Sequence, residues 1–159
     1  MKNQTIILAA DHAGFKLKEV IKSFLEKNGY SILDVGAHEL IEGDDYPVYM
    51  TAAAMKVAED IKGETKAIMF GGSGQGEAIV ANRFPGVRAI VWYGDTVETN
   101  TTNDVIRLSR EHNNANILSI GARFVTDEDA KKVIGKWLET PFSGQDSHQR
   151  RIRQIDEIE

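Results

Sequence analysis

The stretch Ala67-Ile68-Met69-Phe70-Gly71-Gly72-Ser73-Gly74-Gln75-Gly76-Glu77-Ala78-Ile79-Val80-Ala81-Asn82-Arg83 decides how this chain is read. Its first four residues are apolar and predict a buried strand. Four glycines spread over the next six positions predict a loop whose backbone N–H groups can turn toward an anion. A short helix follows, and its start adds a partial positive charge at the same place. Glu77 stands just behind this nest. A carboxylate so placed is what proton abstraction beside a carbonyl requires. The same residue also suits the first turn of a helix through the dipole alone.

The rhythm of strand, turn and helix repeats outward in both directions. Thr5 to Ala10 reads as a strand closed by Asp11-His12-Ala13-Gly14, and Leu17, Val20, Ile21, Phe24 and Leu25 give the next helix one apolar face, stopped at Asn28-Gly29. Ser31 to Val35 is a second strand. After the loop Gly36 to Asp45, residues Tyr46 to Ile61 read as a helix with Val48, Ala52 and Met55 along one side. Beyond the glycine loop come a Pro85-Gly86 turn and a strand from Val87 to Trp92. A polar segment and helix follow from about Asp95 to His112, then a strand from Asn116 to Ile120 ended by Gly121-Ala122-Arg123. Ala130, Val133, Ile134, Trp137 and Leu138 mark another amphipathic helix. Pro141 to Ser147 reads as a loop, and the last helix carries Ile152, Ile155 and Ile158. Apolar strands alternating with crossover helices predict an α/β fold with a mostly parallel five-stranded sheet covered on both faces. Ligands bind such sheets beyond the carboxyl ends of the strands. Asp11-His12, Gly71 to Glu77 and Gly121-Ala122-Arg123 are all expected there.

At 159 residues the chain reads as one domain, 1–159. Its 42% hydrophobic and 27% charged residues are ordinary for a soluble globular protein. No apolar run approaches the ~20 residues of a membrane span, and the first residues do not look like a signal peptide. Cysteine is absent, which excludes disulfides, thiolate metal sites and a cysteine nucleophile or base. A cytoplasmic location follows from that composition as an expectation. A net charge of −5 argues against a general nucleic-acid binder, with His148-Gln149-Arg150-Arg151-Ile152-Arg153 as a local basic exception.

Each chemical candidate has a plainer alternative. The glycine loop lacks the Gly-Lys-Ser/Thr ending of a P-loop, and Glu77-Ala78 stand where the dinucleotide fingerprint places its third glycine. Gly71-Gly72-Ser73-Gly74-Gln75 misses the nucleophile elbow because Gln75 occupies the last position. Asp11 suits an N-cap as well as a site. His112 closes a helix, where a cation favours the dipole. Arg123, Arg150, Arg151 and Arg153 are either solvated charges or bidentate phosphate ligands. No spaced His/Asp/Glu set predicts a metal site.

Taken together, Ala10-Asp11-His12-Ala13-Gly14, Asp45-Tyr46-Pro47, Gly71 to Glu77 with Ala81-Asn82-Arg83, Arg110-Glu111-His112-Asn113-Asn114-Ala115-Asn116, Gly121-Ala122-Arg123 and His148-Gln149-Arg150-Arg151 occur in an order and register that resembles the type B ribose-5-phosphate isomerases and their relatives acting on allose and galactose 6-phosphates. The resemblance covers nearly the whole chain. It implies a Rossmann-like three-layer α/β/α sandwich that forms a homodimer, with a tetramer as the alternative, and active sites at the dimer interface. The C-terminal helix, about 147–158, is expected to pack on the partner. The implied reaction is a metal-free, cofactor-free aldose–ketose isomerisation through a cis-enediolate. Ribose 5-phosphate and ribulose 5-phosphate are the leading pair; a 6-phosphohexose substrate or a non-catalytic sugar-phosphate-binding role are the alternatives. Many members place a cysteine base where this chain has Gly71. In the cysteine-lacking branch a later glutamate serves, and Glu77 stands at that place.

By the same resemblance, the amides of Gly72, Ser73, Gly74, Gln75 and Gly76 stabilise the enediolate oxygen, and Ser73 takes part in substrate handling and ring opening. His112 is the acid that opens the furanose ring, with Asp11 holding sugar hydroxyls and assisting. Asn113 binds the sugar and Tyr46 lies near the site. His12, Arg123 and Arg151 match phosphate-side positions. Ser147 stands where family members usually carry an arginine, and the segment from Trp92 to Glu111 looks longer than usual.

Overall fold

The computed structural model describes residues 4–94 and 104–158. Five strands form one fully parallel sheet: β1 Thr5–Ala10, β2 Ser31–Asp34, β3 Lys66–Gly71, β4 Ala89–Trp92 and β5 Ile117–Gly121. Among the described residues, six helices join and flank them: α1 Phe15–Lys27, α2 Tyr46–Ala58, α3 Gln75–Ala81, α4 Val105–Glu111, α5 Asp127–Glu139 and α6 Asp146–Asp156. The strand order is β2-β1-β3-β5-β4. The chain therefore crosses from β3 to the far edge at β4 and returns to insert β5 between them.

The near-continuous apolar strands are explained by burial on both faces. Ile6, Leu8, Ala10, Ile68, Phe70, Leu118 and Ile120 pack on one side with Leu17, Ile21 and Leu25 of α1, Ile106 of α4, and Ile134 and Trp137 of α5. Ile7, Ala9, Ala67, Met69 and Ile117 point to the other side and meet Met50, Ala53, Ala54 and Val57 of α2 and Ala81 at the end of α3. This is the period of two expected of a strand. α5 is capped by Thr126, whose hydroxyl accepts from the Asp129 N–H, and it carries Asp127, Glu128 and Asp129 in its first turn, where the dipole favours negative charge.

Several boundaries differ from the sequence reading, each for a local reason. α2 stops at Ala58, not Ile61, because the Asp60 carboxylate accepts the N–H groups of Lys62, Glu64 and Thr65 and turns the chain. A hydrogen bond from the Thr65 side chain, together with those backbone bonds, holds the Asp60 carboxyl at a pKa of about 2. β4 begins at Ala89, since the Arg88 N–H is taken by the Asn116 side chain, and Asn82 pins the Ala89 backbone through both its N–H and its carbonyl. β5 correspondingly begins at Ile117. α2 turns Met50, Ala53, Ala54 and Val57 to the sheet and leaves Val48 and Met55 exposed. The segment expected to start a helix near Asp95 lies in part outside the described residues; the described helix there is Val105–Glu111.

Beside the edge strand, Lys18 is fully buried and pairs with Asp34 at 2.6 Å, with Lys22 on the same carboxylate at 2.9 Å. Asp34 accepts the Gly36 N–H, and the Gly36 carbonyl in turn accepts the Ala10 N–H at 2.7 Å. The end of β1 is thereby tied to a buried ionic cluster just before Asp11.

Candidate functional site

Where the chain path reverses direction, between β1 and β3, the carboxyl ends of the strands open a crevice. The three segments expected there are present. Asp11 and His12 follow β1, Gly71 to Glu77 follow β3, and Gly121 to Arg123 follow β5. Ala122 N–H donates to the Gly71 carbonyl at 2.8 Å and Arg123 N–H to the Gly72 carbonyl at 3.2 Å, so the last two segments are stitched together.

Gly74 caps α3 in the left-handed region, φ +77°, with its carbonyl held by the Ser119 hydroxyl at 2.7 Å. This conformation suits glycine and turns the loop inward. Among the described residues, no protein group accepts from the N–H groups of Gly72, Ser73, Gly74 or Gly76. The Gln75 N–H is bonded locally to the Ser73 hydroxyl at 3.3 Å. The loop thus presents a set of amides with no protein acceptor at a helix start, an arrangement suited to an oxyanion.

Glu77 is only 4% exposed and lies against this loop. A Cβ at Gly71 would fall within the Glu77 carboxyl group, with even the farther oxygen, Oε2, at 2.7 Å. The carboxylate therefore fills the space that a side chain at position 71 would occupy. Burial pushes its pKa above the ordinary carboxylate value and nearby Asp11 adds to the rise, while its own backbone N–H opposes it. The Tyr46 ring closes the floor of the loop: a Cβ at Gly76 would meet the Tyr46 hydroxyl at 2.7 Å. The Arg123 guanidinium lies over Gly72, 3.1 Å from where its Cβ would be.

Across the crevice, Asp11 is 5% exposed and its Oδ1 accepts from the Ala13 and Gly14 N–H groups at 3.0 and 3.1 Å. His12 bonds Asp44 twice, through Nδ1 at 2.7 Å and through its N–H at 2.8 Å. The hydrogen bond to Asp44 raises the His12 pKa, against a smaller loss from burial, and the charges of Asp11, Asp44 and Glu42 add to it. Asp44 escaped the sequence reading. It sits in the polar run Glu42-Gly43-Asp44-Asp45, 32 residues from His12, and only the fold brings the two together. Asp11, His12 and Asp44 offer ligand atoms within 4.8 Å of one another, a metal-sized cluster not expected from the sequence. One oxygen of Asp11 and Nδ1 of His12 are already committed to protein partners.

The remaining candidates lie elsewhere. His112 and Asn113 precede β5, whose Ile117 pairs with Ala67 at the start of β3, so they sit at the amino edge of the sheet. Roughly 15 Å of strand separates that edge from Glu77. His112 stacks on His148 of α6, ring centroids 4.2 Å apart. Burial, His112 and Arg151 together lower the His148 pKa, which places Arg151 at this edge too. Ser147 is in the first turn of α6, one helical turn before Arg150 and Arg151. One chain thus gathers Asp11, His12, Tyr46, Gly72 to Gly76, Ser73, Glu77 and Arg123 at one end, and His112, Asn113 and Arg151 at the other.

A parallel α/β sheet with an amide nest and a buried carboxylate at its switch point defines a protein built for small anionic ligands. Comparison with known proteins narrows the class. The ribose/galactose isomerase family matches residues 6–155. Ribose-5-phosphate isomerase B of Mycolicibacterium paratuberculosis is 39% identical over 155 residues, 97% of this chain and 91% of that protein. The enzyme of the same name from Escherichia coli is 36% identical over 155 residues, 97% and 95% of the two chains. Among solved structures, ribose-5-phosphate isomerase B from Mycoplasma genitalium with bound ribulose-5-phosphate superposes with a TM-score of 0.87 at 31% identity, covering 98% of this chain and 96% of that one. This chain belongs to the ribose/galactose isomerase family. Among the described residues no helix is long and apolar enough to cross a membrane.

Proposed function

We propose that this protein interconverts ribose 5-phosphate and ribulose 5-phosphate through a cis-enediolate, with Glu77 as the base. The observation that carries the reading is the buried Glu77 carboxylate filling the side-chain space of residue 71 behind the amide nest. It is the arrangement expected of the glutamate branch of the family. The names of the relatives and the ribulose-5-phosphate held by the Mycoplasma genitalium enzyme support the substrate.

In the reaction, Asp11 holds the sugar hydroxyls and His112 protonates the ring oxygen to open the furanose. Glu77 then takes the C2 proton, and charge develops on O1, where the amides of Gly72 to Gly76 receive it. Such donors are worth about 3–4 kcal/mol each in other enzymes. Glu77 returns its proton to C1. The hydrogen on O2 leaves as O1 gains one, so the product ketose is an isomer with no net redox change. The raised Glu77 pKa suits this exchange, because a base must both take and release the proton. His12, whose pKa the hydrogen bond to Asp44 raises, and Arg123 face the phosphate, with Arg151.

Since His112, Asn113 and Arg151 sit at the opposite edge from Glu77, a second copy of the chain supplies them. The dimer this requires has surface to use. Val48 and Met55, two turns apart on α2, and Ile79 of α3 are exposed apolar side chains, and α6 buries no residue within its own chain. Antiparallel pairing of two such layers about a two-fold axis sets the amino edge of one sheet beside the carboxyl edge of the other.

The test is NMR in deuterium oxide with ribose, allose and galactose phosphates, following isomerisation and C2 exchange together. Ribose 5-phosphate is expected to turn over with exchange, and Glu77→Gln to lose about 10²–10⁴-fold of it. Full activity in Glu77→Gln would remove the proposed base. Binding without exchange in the parent protein would leave a sugar-phosphate-binding protein.

A further inference from the structure

The connection from α4 to β5 is held more tightly than a turn needs. Asn114 has φ +46°, the left-handed region, and is the one such non-glycine residue among those described. Two arginines grip the backbone around it. Arg110 Nη1 donates to the Asn114 side-chain oxygen at 2.9 Å and to the Ala115 carbonyl at 2.6 Å, while its Nε reaches the Thr140 carbonyl at 3.2 Å. Arg88 Nε donates to the Asn113 and Asn114 carbonyls at 3.0 and 3.2 Å, and its Nη1 reaches Asp156 of α6 at 3.4 Å. Three consecutive carbonyls, those of Asn113, Asn114 and Ala115, are thereby fixed by guanidinium groups.

Arg110 is the unusual member. It is 5% exposed, lies over the Trp137 ring at 5.7 Å, and has no carboxylate partner among the described residues. A buried guanidinium answered only by carbonyls is an expensive way to fill space, and an apolar side chain of the same length would pack there at less cost. Backbone strain of the Asn114 kind persists where the surroundings over-determine it, and it concentrates at functional sites. The residues immediately before this clamp are His112 and Asn113, both exposed. The Arg110 and Arg88 clamp also ties α6 to the loop, where His148 stacks on His112.

We propose that Arg110, with Arg88 and Asn114, is a positioning residue that fixes the direction of His112 toward the sugar held by the second subunit. The inference rests on the reading of His112 as the ring-opening acid. It predicts that the clamp serves ring opening and not proton transfer at carbon. Ribulose 5-phosphate separates the two, because its phosphorylated O5 leaves no furanose to open. Exchange of its C1 hydrogen with solvent, once the sugar is bound, needs Glu77 and the nest but no ring-opening acid, whereas formation of ribose 5-phosphate as the closed sugar needs the ring step as well.

The variants are Arg110→Met, which keeps the stem over Trp137, and Asn114→Gly, which keeps the left-handed backbone and removes only the clamped side chain. Both are assayed by NMR in deuterium oxide from each substrate, with thermal unfolding and sedimentation as controls. The expected result is a fall of about ten- to a hundredfold in turnover of ribose 5-phosphate, as small misplacements of catalytic groups produce, with C1 exchange of ribulose 5-phosphate within threefold of the parent. Parallel loss of both rates, or loss of neither, in the folded dimeric variant overturns the proposal. If Arg110→Met does not fold, Asn114→Gly decides. Absence of C1 exchange in the parent protein would instead refute the isomerase reading itself.

Discussion

Adding one methyl group at Gly71 tests the geometry of the proposed base directly. The new Cβ would fall inside the Glu77 carboxyl group, and its farther oxygen alone would lie at 2.7 Å, short of the 3.4 Å at which ordinary contact begins. Gly71 is not in the left-handed region, so alanine fits the backbone, and the group that must yield is the flexible end of a side chain. The fold should survive while the carboxyl retreats by about 1 Å or more, a displacement that costs on the order of a hundredfold in rate, or about 2.7 kcal/mol in barrier. KM should change little, since the proposed phosphate ligands His12, Arg123 and Arg151 are untouched. The assay is initial rate and C2 deuterium exchange for Gly71→Ala, Glu77→Ala and the double variant. Because both changes act on one group, the double variant should be no slower than Glu77→Ala alone. A Gly71→Ala enzyme within threefold of the parent, or additive losses in the cycle, would refute the claim that Glu77 works from the space beside residue 71.

Burial raises the folded-state pKa of Glu77 above its ordinary 4.5, so its ionisation costs stability. That cost is absent below the ordinary value and complete once pH has passed the raised one. Glu77→Gln is therefore expected to unfold at a higher temperature than the parent at neutral pH and at a similar one near pH 4; equal midpoints at both would contradict it. In Asp44→Asn, His12 loses the partner that raises its pKa, so KM for the phosphate substrate should rise at neutral pH and converge with the parent well below pH 6.5, where His12 is charged in either case. A pH-independent ratio of KM values would sever His12 from phosphate binding. Val48→Asp places a charge on the outward α2 stripe and is expected to yield monomers by sedimentation, with turnover lost in proportion; an active monomer would disprove the shared site.

Much of the fold was legible because strands buried on both faces are mostly apolar, and because Asn28-Gly29 and Pro85-Gly86 punctuate the chain with known turn chemistry. Strand order was not legible. Nothing local distinguishes a chain that places β5 beside β3 from one that places β4 there, since both connections contain a helix and are long enough to cross over. The α2 stripe of Val48, Ala52 and Met55 is visible in sequence, but Val48 and Met55 face outward, and it is Met50, Ala53, Ala54 and Val57 that face the sheet. At the site, the carboxyl-edge residues could be grouped because all three segments end strands. Asp44 could not, since its role depends on a contact made across a loop, and the division of the candidates between two edges is a property of strand direction that the resemblance alone left unstated.

That division has a genetic consequence. On the proposed assembly, a subunit lacking Glu77 still offers a sound His112, and one lacking His112 still offers a sound Glu77. Mixed and reassembled in equal amounts, two dead proteins would form hybrid pairs in half of the dimers, each with one site defective twice over and one site whole. Roughly a quarter of the parental sites would return. Two null alleles of this gene, affecting opposite ends of one sheet, would then complement each other, while two alleles affecting the same end would not.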